Sequence, residues 1–399
     1  MTGTKASESR SIPITRPLIG AEEAEAVAEV LESGWLVQGE RVLEFERQFA
    51  LFTGARQAVA ATSCTTALHL AVAALGLRPG DEVIVPAFTW ISTANVVEYM
   101  GATPVFVDIE PTTFNIDVER AAAAITDRTV GIIPVHLFGL CADMARIGAL
   151  AKERGLWVLE DAACGFGATI DGQHAGTFGT AGCFSFHPRK AITTGEGGML
   201  TTRDDSVSDA ARSLRDHGAD RSDLERHSAS DGTLLPAYRH IGFNYRMTDI
   251  QAAIGLVQLR RAEHLLATRR TQAERYDGAL RAMPWLTPPH VPAGYHHGYQ
   301  SYVAWFGAER WEANDVEVAS ARRNRFMGAL QDRGIATRQG THAAALQDYY
   351  RTRYGLAPSD FPISFAADRL TISLPLFAAM TPEEQDYVIA GLGDLATIE

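Results

Sequence analysis

Lysine is nearly absent from this chain. Of 36 basic residues in 399, only Lys5, Lys152 and Lys190 are lysine. In a chain that writes arginine for its surface charge, each lysine needs a reason. Positive charge is also in deficit: 36 Lys+Arg against 48 Asp+Glu leave a formal net charge of −12. That balance excludes the broad basic footprint of a protein for nucleic acid or anionic membrane. The four cysteines, Cys64, Cys141, Cys164 and Cys183, are too few for a disulfide scaffold and show no paired metal-ligand spacing. They are expected to be buried reduced thiols. No apolar run approaches the roughly 18 residues of a membrane span. The opening MTGTKASESRS lacks the apolar core of a signal peptide, so a cytoplasmic location is expected. What remains is ordinary, with 46% apolar and 21% charged residues, enough for one large and one smaller domain.

Residues 1–14 are polar and patternless and read as a disordered tail. Helical spacing follows over 21–33 and 42–53, stopped by Gly34 and Gly54. Short apolar runs at 58–61, 82–85, 104–107 and 130–135 each precede a helical stretch, and a further run at 156–159 ends on Glu160-Asp161. These runs are continuous rather than alternating, which argues for a parallel sheet covered on both faces. Beyond Asp161, residues 181–186 and 198–202 read as strands around a Gly-rich loop, with a helix over 205–215. Residues 216–240 are polar and irregular, a loop able to cover a substrate. A single long helix is expected from 249 to 280. A strand at 302–306, a helix at 316–333, a strand at 335–338 and a helix at 382–395 complete a smaller α+β unit. The class is α/β, with residues 15–255 as the large domain and 256–399 as the small C-terminal one.

Lys190 lies in CFSFHPRKAITTGEGGML, between an apolar strand and a Gly-rich turn. Desolvation there would lower its pKa, as a Schiff-base nucleophile requires. The competing reading is a lysine that snorkels out of the turn. Lys152 sits in a helical, solvated AKERG, and Lys5 in the tail. Asp161 follows the strand LWVLE, at the C-terminal edge of a parallel sheet where ligands bind. Such a carboxylate can hold the ring nitrogen of pyridoxal phosphate protonated, although an Asp there also caps helices. Ser63, Thr65 and Thr66 of SCTTALHL stand at a helix N-terminus, suited to a phosphate or simply to capping. Ser185 adds a hydroxyl at the same edge. Trp90 of PAFTW offers a flat ring for a cofactor face, with core packing as the alternative.

Together, PAFTW, VLEDAA and FSFHPRKAITTGEGG resemble the DegT/StrS family of pyridoxal-phosphate-dependent sugar aminotransferases. The resemblance continues through FVDIEPTTFNID, IIPVHLFG, RDHGAD, GFNYRMTDIQAAIG, IATRQGTH and ISLPLF, from about Pro17 to the end. It is closest to the perosamine-synthase-like branch, which aminates C4 of a nucleotide-linked 4-keto-6-deoxy sugar. The resemblance implies the aspartate-aminotransferase-like fold (fold type I), with a mostly parallel central sheet, and a homodimer with shared active sites. It implies that Lys190 forms the Schiff base and moves the proton, that Asp161 partners the pyridine nitrogen, and that Trp90 stacks on the ring. Thr65, Thr66 and Ser185 would contact the phosphate, Asn244 would reach it from the other subunit, and Arg246 and His342 would line the substrate cleft.

The implied reaction takes an amino group from L-glutamate through pyridoxamine phosphate to a keto sugar. A keto-cyclitol acceptor with L-glutamine as donor is the alternative within the class, and a non-catalytic cofactor-binding regulator is the alternative outside it. Two positions depart from the family pattern. Cys64 stands where Gly or Ala is usual, and Cys164 where Gln, Glu or His is common. The retained lysine argues against the dehydratase relatives, which carry histidine there.

Overall fold

The computed structural model describes residues 11–222, 224, 235–307 and 316–395. Helix α1 (Ala21–Ser33) ends at Gly34 and α2 (Glu40–Thr53) at Gly54. Both glycines adopt left-handed backbone, with φ of 72° and 75°, which a residue bearing a Cβ enters only with strain. From there β1 (Gln57–Ala61), α3 (Cys64–Ala74), β2 (Glu82–Pro86), α4 (Ser92–Tyr99), β3 (Thr103–Val107), α5 (Val118–Ala123), β4 (Thr129–Ile132), α6 (Met144–Arg154) and β5 (Trp157–Asp161) alternate along the chain. Two short strands, β6 (Thr169–Ile170) and β7 (Gln173–His174), precede β8 (Ala181–Ser185), β9 (Gly198–Thr202) and α7 (Asp205–Arg215).

Seven of these strands form one sheet in the order β1-β9-β8-β5-β4-β2-β3. The neighbours β3, β2, β4, β5 and β8 run parallel, and β9 runs antiparallel to both β8 and β1. All five residues of β2 and of β9 are buried, as expected of strands covered on both faces. This topology makes the C-terminal ends of β1, β2, β5 and β8 open on one edge. Register sharpens the point: Asp161 pairs with Cys183, and Ser185 with Gly198, where β9 begins.

The remaining elements are α8 (Asp249–Arg260), α9 (Ala262–Leu280), β10 (Leu286–Thr287), β11 (Tyr295–His296), β12 (Tyr302–Phe306), α10 (Val316–Asp332), α11 (Asp348–Tyr354), α12 (Pro362–Leu370), β13 (Thr371–Leu374) and α13 (Pro382–Asp394). A second, three-stranded antiparallel sheet has the order β10-β12-β13. A third joins β11, β6 and β7, tying the late chain to the large domain.

Several expectations need correcting. The single helix over 249–280 is two, broken at Arg261, whose φ of −96° and ψ of 2° leave the helical range. Residues 335–338 form no strand: Ile335 bridges Ile12, and Arg338 bridges Ser373, each singly. The strand in that sheet is β13, which follows α12 with no turn residue between them and so hides in a helical pattern.

Residues 11–14 are not a loose tail. Ile12 is fully buried beside Tyr276, Leu330 and Ile335, and its amide donates to the Gly334 carbonyl at 2.7 Å. Residues 1–10 lie outside the described residues, as do 223 and 225–234 of the expected covering loop. Core membership changes inside α9. Leu266 packs with the Phe49 and Phe186 group, whereas Ala273 packs with the Ile12 group, so the division between the two cores falls later than residue 255. Among the described residues no helix is long and apolar enough to cross a membrane.

Candidate active site

Strand alternation sends the two carboxylates that end β5 to opposite faces. Asp161 is 4% exposed. Its Oδ2 accepts from the Thr93 hydroxyl at 2.7 Å and its Oδ1 from the Ala163 amide at 3.1 Å. Thr93, on the first turn of α4, is itself held by the Thr89 hydroxyl at 3.0 Å. Burial pushes the Asp161 carboxyl above the usual carboxylate range, against the downward pull of Thr93, Ala163 and Lys190. A buried carboxylate whose hydrogen-bond donors here are neutral is suited to a cationic ring N–H.

Glu160 does the opposite work. Its Oε2 accepts from His136 Nε2 and the Gly176 amide, both at 2.7 Å, and its Oε1 from the amides of Phe178 at 2.7 Å and Gly179 at 2.6 Å. The Ala142 amide donates to His136 Nδ1 at 3.1 Å, so Nε2 is the nitrogen that carries the proton toward Glu160. Both side chains are fully buried. Every partner of Glu160 is scaffold, a role that sequence reading missed.

Lys190 follows β8 in a turn closed by its amide to the His187 carbonyl at 2.8 Å. Its Nζ lies 3.2 Å from Cys164 Sγ. Burial works to lower the ammonium's pKa, but Cys164, then Cys64 and Asp161, outweigh it, and the net direction is upward. The expected lowering is therefore overturned: acidic neighbours win over desolvation in the free lysine. Cys64, Cys141 and Cys183 are buried, whereas Cys164 is only partly so.

The helix N-terminus at α3 is more committed than its sequence suggests. Ser63 Oγ accepts from the Thr66 amide at 3.1 Å, while Thr66 Oγ1 accepts from the Ser63 amide at 2.9 Å. This capping box occupies the Thr66 hydroxyl, which was expected to meet a phosphate. Thr65 instead donates its hydroxyl to Ser92 Oγ at 2.9 Å, joining α3 to α4. Gly198 lies against the same turn, where a Cβ would run into the Ser63 carbonyl and the Cys64 amide. Gly198→Ala should cost about 1–3 kcal/mol through that overpacking. Denaturant unfolding of the variant tests this, and wild-type stability would show that the turn can give way.

The other expected residues divide. Ser185 Oγ accepts from the His187 amide at 3.4 Å, at the edge beside Lys190. Trp90 is 58% exposed, with His342 at 6.1 Å between ring centroids and 43° between planes. The Thr89 amide donates to the His342 carbonyl at 3.1 Å, which seats that small-domain segment on the end of β2. Arg246 is bonded to Asp216 at 2.6 Å. Asn244 is exposed and pairs through its backbone with Asp216. The Thr62 amide donates to the Tyr245 carbonyl at 3.1 Å, so the 244–246 segment lies beside the α3 turn. Thr65, Trp90, Asp161, Ser185, Lys190 and His342 are thus gathered at one sheet edge, and no hydrogen bond links Asn244 or Arg246 to them among the described residues.

Comparison with known proteins bears on this edge. A curated relative, the spore coat polysaccharide biosynthesis protein SpsC of Bacillus subtilis (strain 168), is 40% identical over 385 residues, covering 96% of this chain and 97% of its own. The PMP form of Spr1654 from Streptococcus pneumoniae, described as a sugar aminotransferase, superposes with a TM-score of 0.89 at 30% identity. The match covers 97% of this chain and 99% of that one. Helicobacter pylori PseC, an aminotransferase involved in the biosynthesis of pseudoaminic acid, gives a TM-score of 0.88 at 27% identity over 96% and 99% of the two chains. The model of the DegT/DnrJ/EryC1/StrS aminotransferases matches residues 17–393. With that span running through both domains and across the whole Lys190 edge, the chain belongs to the DegT/DnrJ/EryC1/StrS aminotransferase family.

Proposed function

We propose that this pyridoxal-phosphate-dependent sugar aminotransferase takes its amino group from L-glutamate and delivers it to a nucleotide-linked 4-keto-6-deoxy sugar, as in the perosamine-synthase-like branch. The observation that carries the reading is the half-buried Lys190 at the edge where buried Asp161 lacks a hydrogen-bonded cation. The residues present fit the cofactor. Asp161 would hold its ring nitrogen, Trp90 its ring, and Thr65, Ser185 and the first amides of α3 its phosphate, with Lys190 attached to it. When bound, the cofactor supplies an electron sink for the carbon that loses a proton.

The chain's own part is positional. Thr93 and Ala163 orient the Asp161 carboxylate toward the edge. Lys190, once free, holds and moves the proton at Nζ. The 342–343 segment, docked on the end of β2, narrows the cleft against water. Asn244 is proposed to serve the partner subunit's phosphate site, with Arg246 and His342 toward the sugar.

Dimerisation is part of this proposal. Leu36 and Val37, in the connection between α1 and α2, and Leu43 and Leu51 of α2 are 41–65% exposed. A groove of ≈ 1020 Å³ lined by Leu43, Leu51, Arg212 and Asp216 opens beside them and contains neither Lys190 nor Asp161. A second copy would cover that face. Four unbridged cysteines suit a reducing, cytoplasmic location.

The test is the visible spectrum of the cofactor-loaded protein with excess L-glutamate. Loss of the lysine-bound absorption, restored by a nucleotide-linked 4-keto sugar, is expected. A response to L-glutamine and a keto-cyclitol alone would favour the alternative substrates. A sharper expectation concerns uptake of the cofactor. Because only neutral amine attacks a carbonyl, and Lys190 is shifted upward, uptake by the apoprotein should accelerate about tenfold per pH unit from roughly pH 7 to 9 without levelling. Cys164→Ala removes a raising partner and should speed uptake at any pH in that window. Stopped-flow absorbance reads both, and superimposable profiles would remove Cys164 from the account.

A further inference from the structure

We propose that Arg189 and Arg338 form an anion subsite at the mouth of the Lys190 cleft, built for an oxyanion group, carboxylate or phosphate, of a substrate. The proposal rests on the aminotransferase reading and adds to it a recognition site from two segments 149 residues apart in sequence. Arg189 immediately precedes Lys190. Arg338 lies in the small-domain segment between α10 and α11 that also carries His342.

Backbone and side-chain bonds anchor both to the small sheet. Gln300, just before β12, donates its Nε2 to the Arg189 carbonyl at 3.2 Å. The Ser373 amide donates to the Arg338 carbonyl at 2.6 Å, and the Arg338 amide returns a bond to Ser373 at 3.3 Å. Ser373 in turn pairs with Val303 of β12. The segment beyond Arg338 is held as well, by the Gly340 amide to Thr371 Oγ1 at 3.0 Å and the Ala343 amide to Asp368 Oδ1 at 3.2 Å.

Both arginines are exposed. Among the described residues neither guanidinium makes a hydrogen bond or ion pair. The two are near enough that Arg338, after burial, depresses the pKa of Arg189. Asp368, which contacts this segment, is already engaged: it accepts from Gln339 and Ala343 and faces His342 and Arg369. Glu196, in the loop after Lys190, acts on His187, and Asp161 acts on Lys190. In a chain with a net charge of −12, cations held together without counter-charge at a cleft are a focusing device for an anion. A guanidinium fork matches carboxylate and phosphate alike.

Two sources supply that chemistry, the carboxylate of the amino donor and the diphosphate of the sugar nucleotide. The experiment uses cofactor-loaded wild type, Arg189→Ala, Arg338→Ala and Arg338→Lys. L-Glutamate is titrated by the change in cofactor absorption, and UDP, dTDP and GDP by calorimetry. Each Ala variant should weaken one class of probe by about 10- to 100-fold, with an unchanged resting spectrum and partial recovery in Arg338→Lys. Loss confined to L-glutamate assigns a carboxylate, and loss confined to the nucleotides assigns a phosphate. Wild type that ignores every amino donor would sink the functional reading alone, and the subsite would then be judged on nucleotide binding. Binding that is absent, or equal in wild type and both Ala variants, overturns the subsite.

Discussion

Lys190→Ala should reduce transamination by at least about a thousandfold while the protein stays folded. Among the described residues Lys190 Nζ has Cys164 Sγ as its one hydrogen-bond partner, so its removal strips no network from the core. On the proposed function, what disappears is the attachment point of the cofactor and the group that carries the proton. Two readouts separate these roles from a packing defect. Borohydride should no longer fix the cofactor to the chain. Added methylamine should restore part of the turnover, because a small amine can occupy the vacated space. A variant that turns over at near wild-type rates would refute the placement of the chemistry at Lys190. Among the described residues the one other lysine, Lys152, is exposed on α6 and offers no substitute.

Glu160→Ala should do the reverse, unfolding the protein more easily rather than touching the reaction directly. The carboxylate is fully buried and receives four donors, so its loss strands the Gly176, Phe178 and Gly179 amides and the His136 ring. Stranding several buried donors at once, at about 1–3 kcal/mol each before relaxation, should destabilise by about 3–5 kcal/mol. Denaturant unfolding measures it, and a loss below about 1 kcal/mol would mean that water replaces the carboxylate at little cost. Glu160→Gln should recover only part of the loss, since its NH₂ must face N–H donors. Asp161→Asn, one residue on, should leave unfolding nearly unchanged and lower turnover by about a hundredfold or more, because an amide cannot hold a ring nitrogen protonated. The adjacent pair thus separates stability from chemistry.

The order of elements was readable because it depends on local signals. Gly34 and Gly54 stop their helices where the backbone turns left-handed, and continuous apolar runs mark strands buried on both sides. Where local signals are mute, the reading failed. No turn residue separates α12 from β13, and Arg261 is not a residue that announces a break. Ile12 looked like part of a tail because its partners Gly334 and Ala336 come more than 300 residues later.

The same division runs through the site. The rarity of lysine singled out Lys190, the end of an apolar strand singled out Asp161, and the ordered motifs identified the family, all from residues close in sequence. That Thr93 orients Asp161 and that Cys164 raises Lys190 rather than leaving desolvation to lower it were decided by tertiary structure. Both depend on contacts between segments that composition and spacing do not encode. Chain-local chemistry named the residues proposed to react. Only the folded sheet, by opening β1, β2, β5 and β8 on one edge, set their distances and charges.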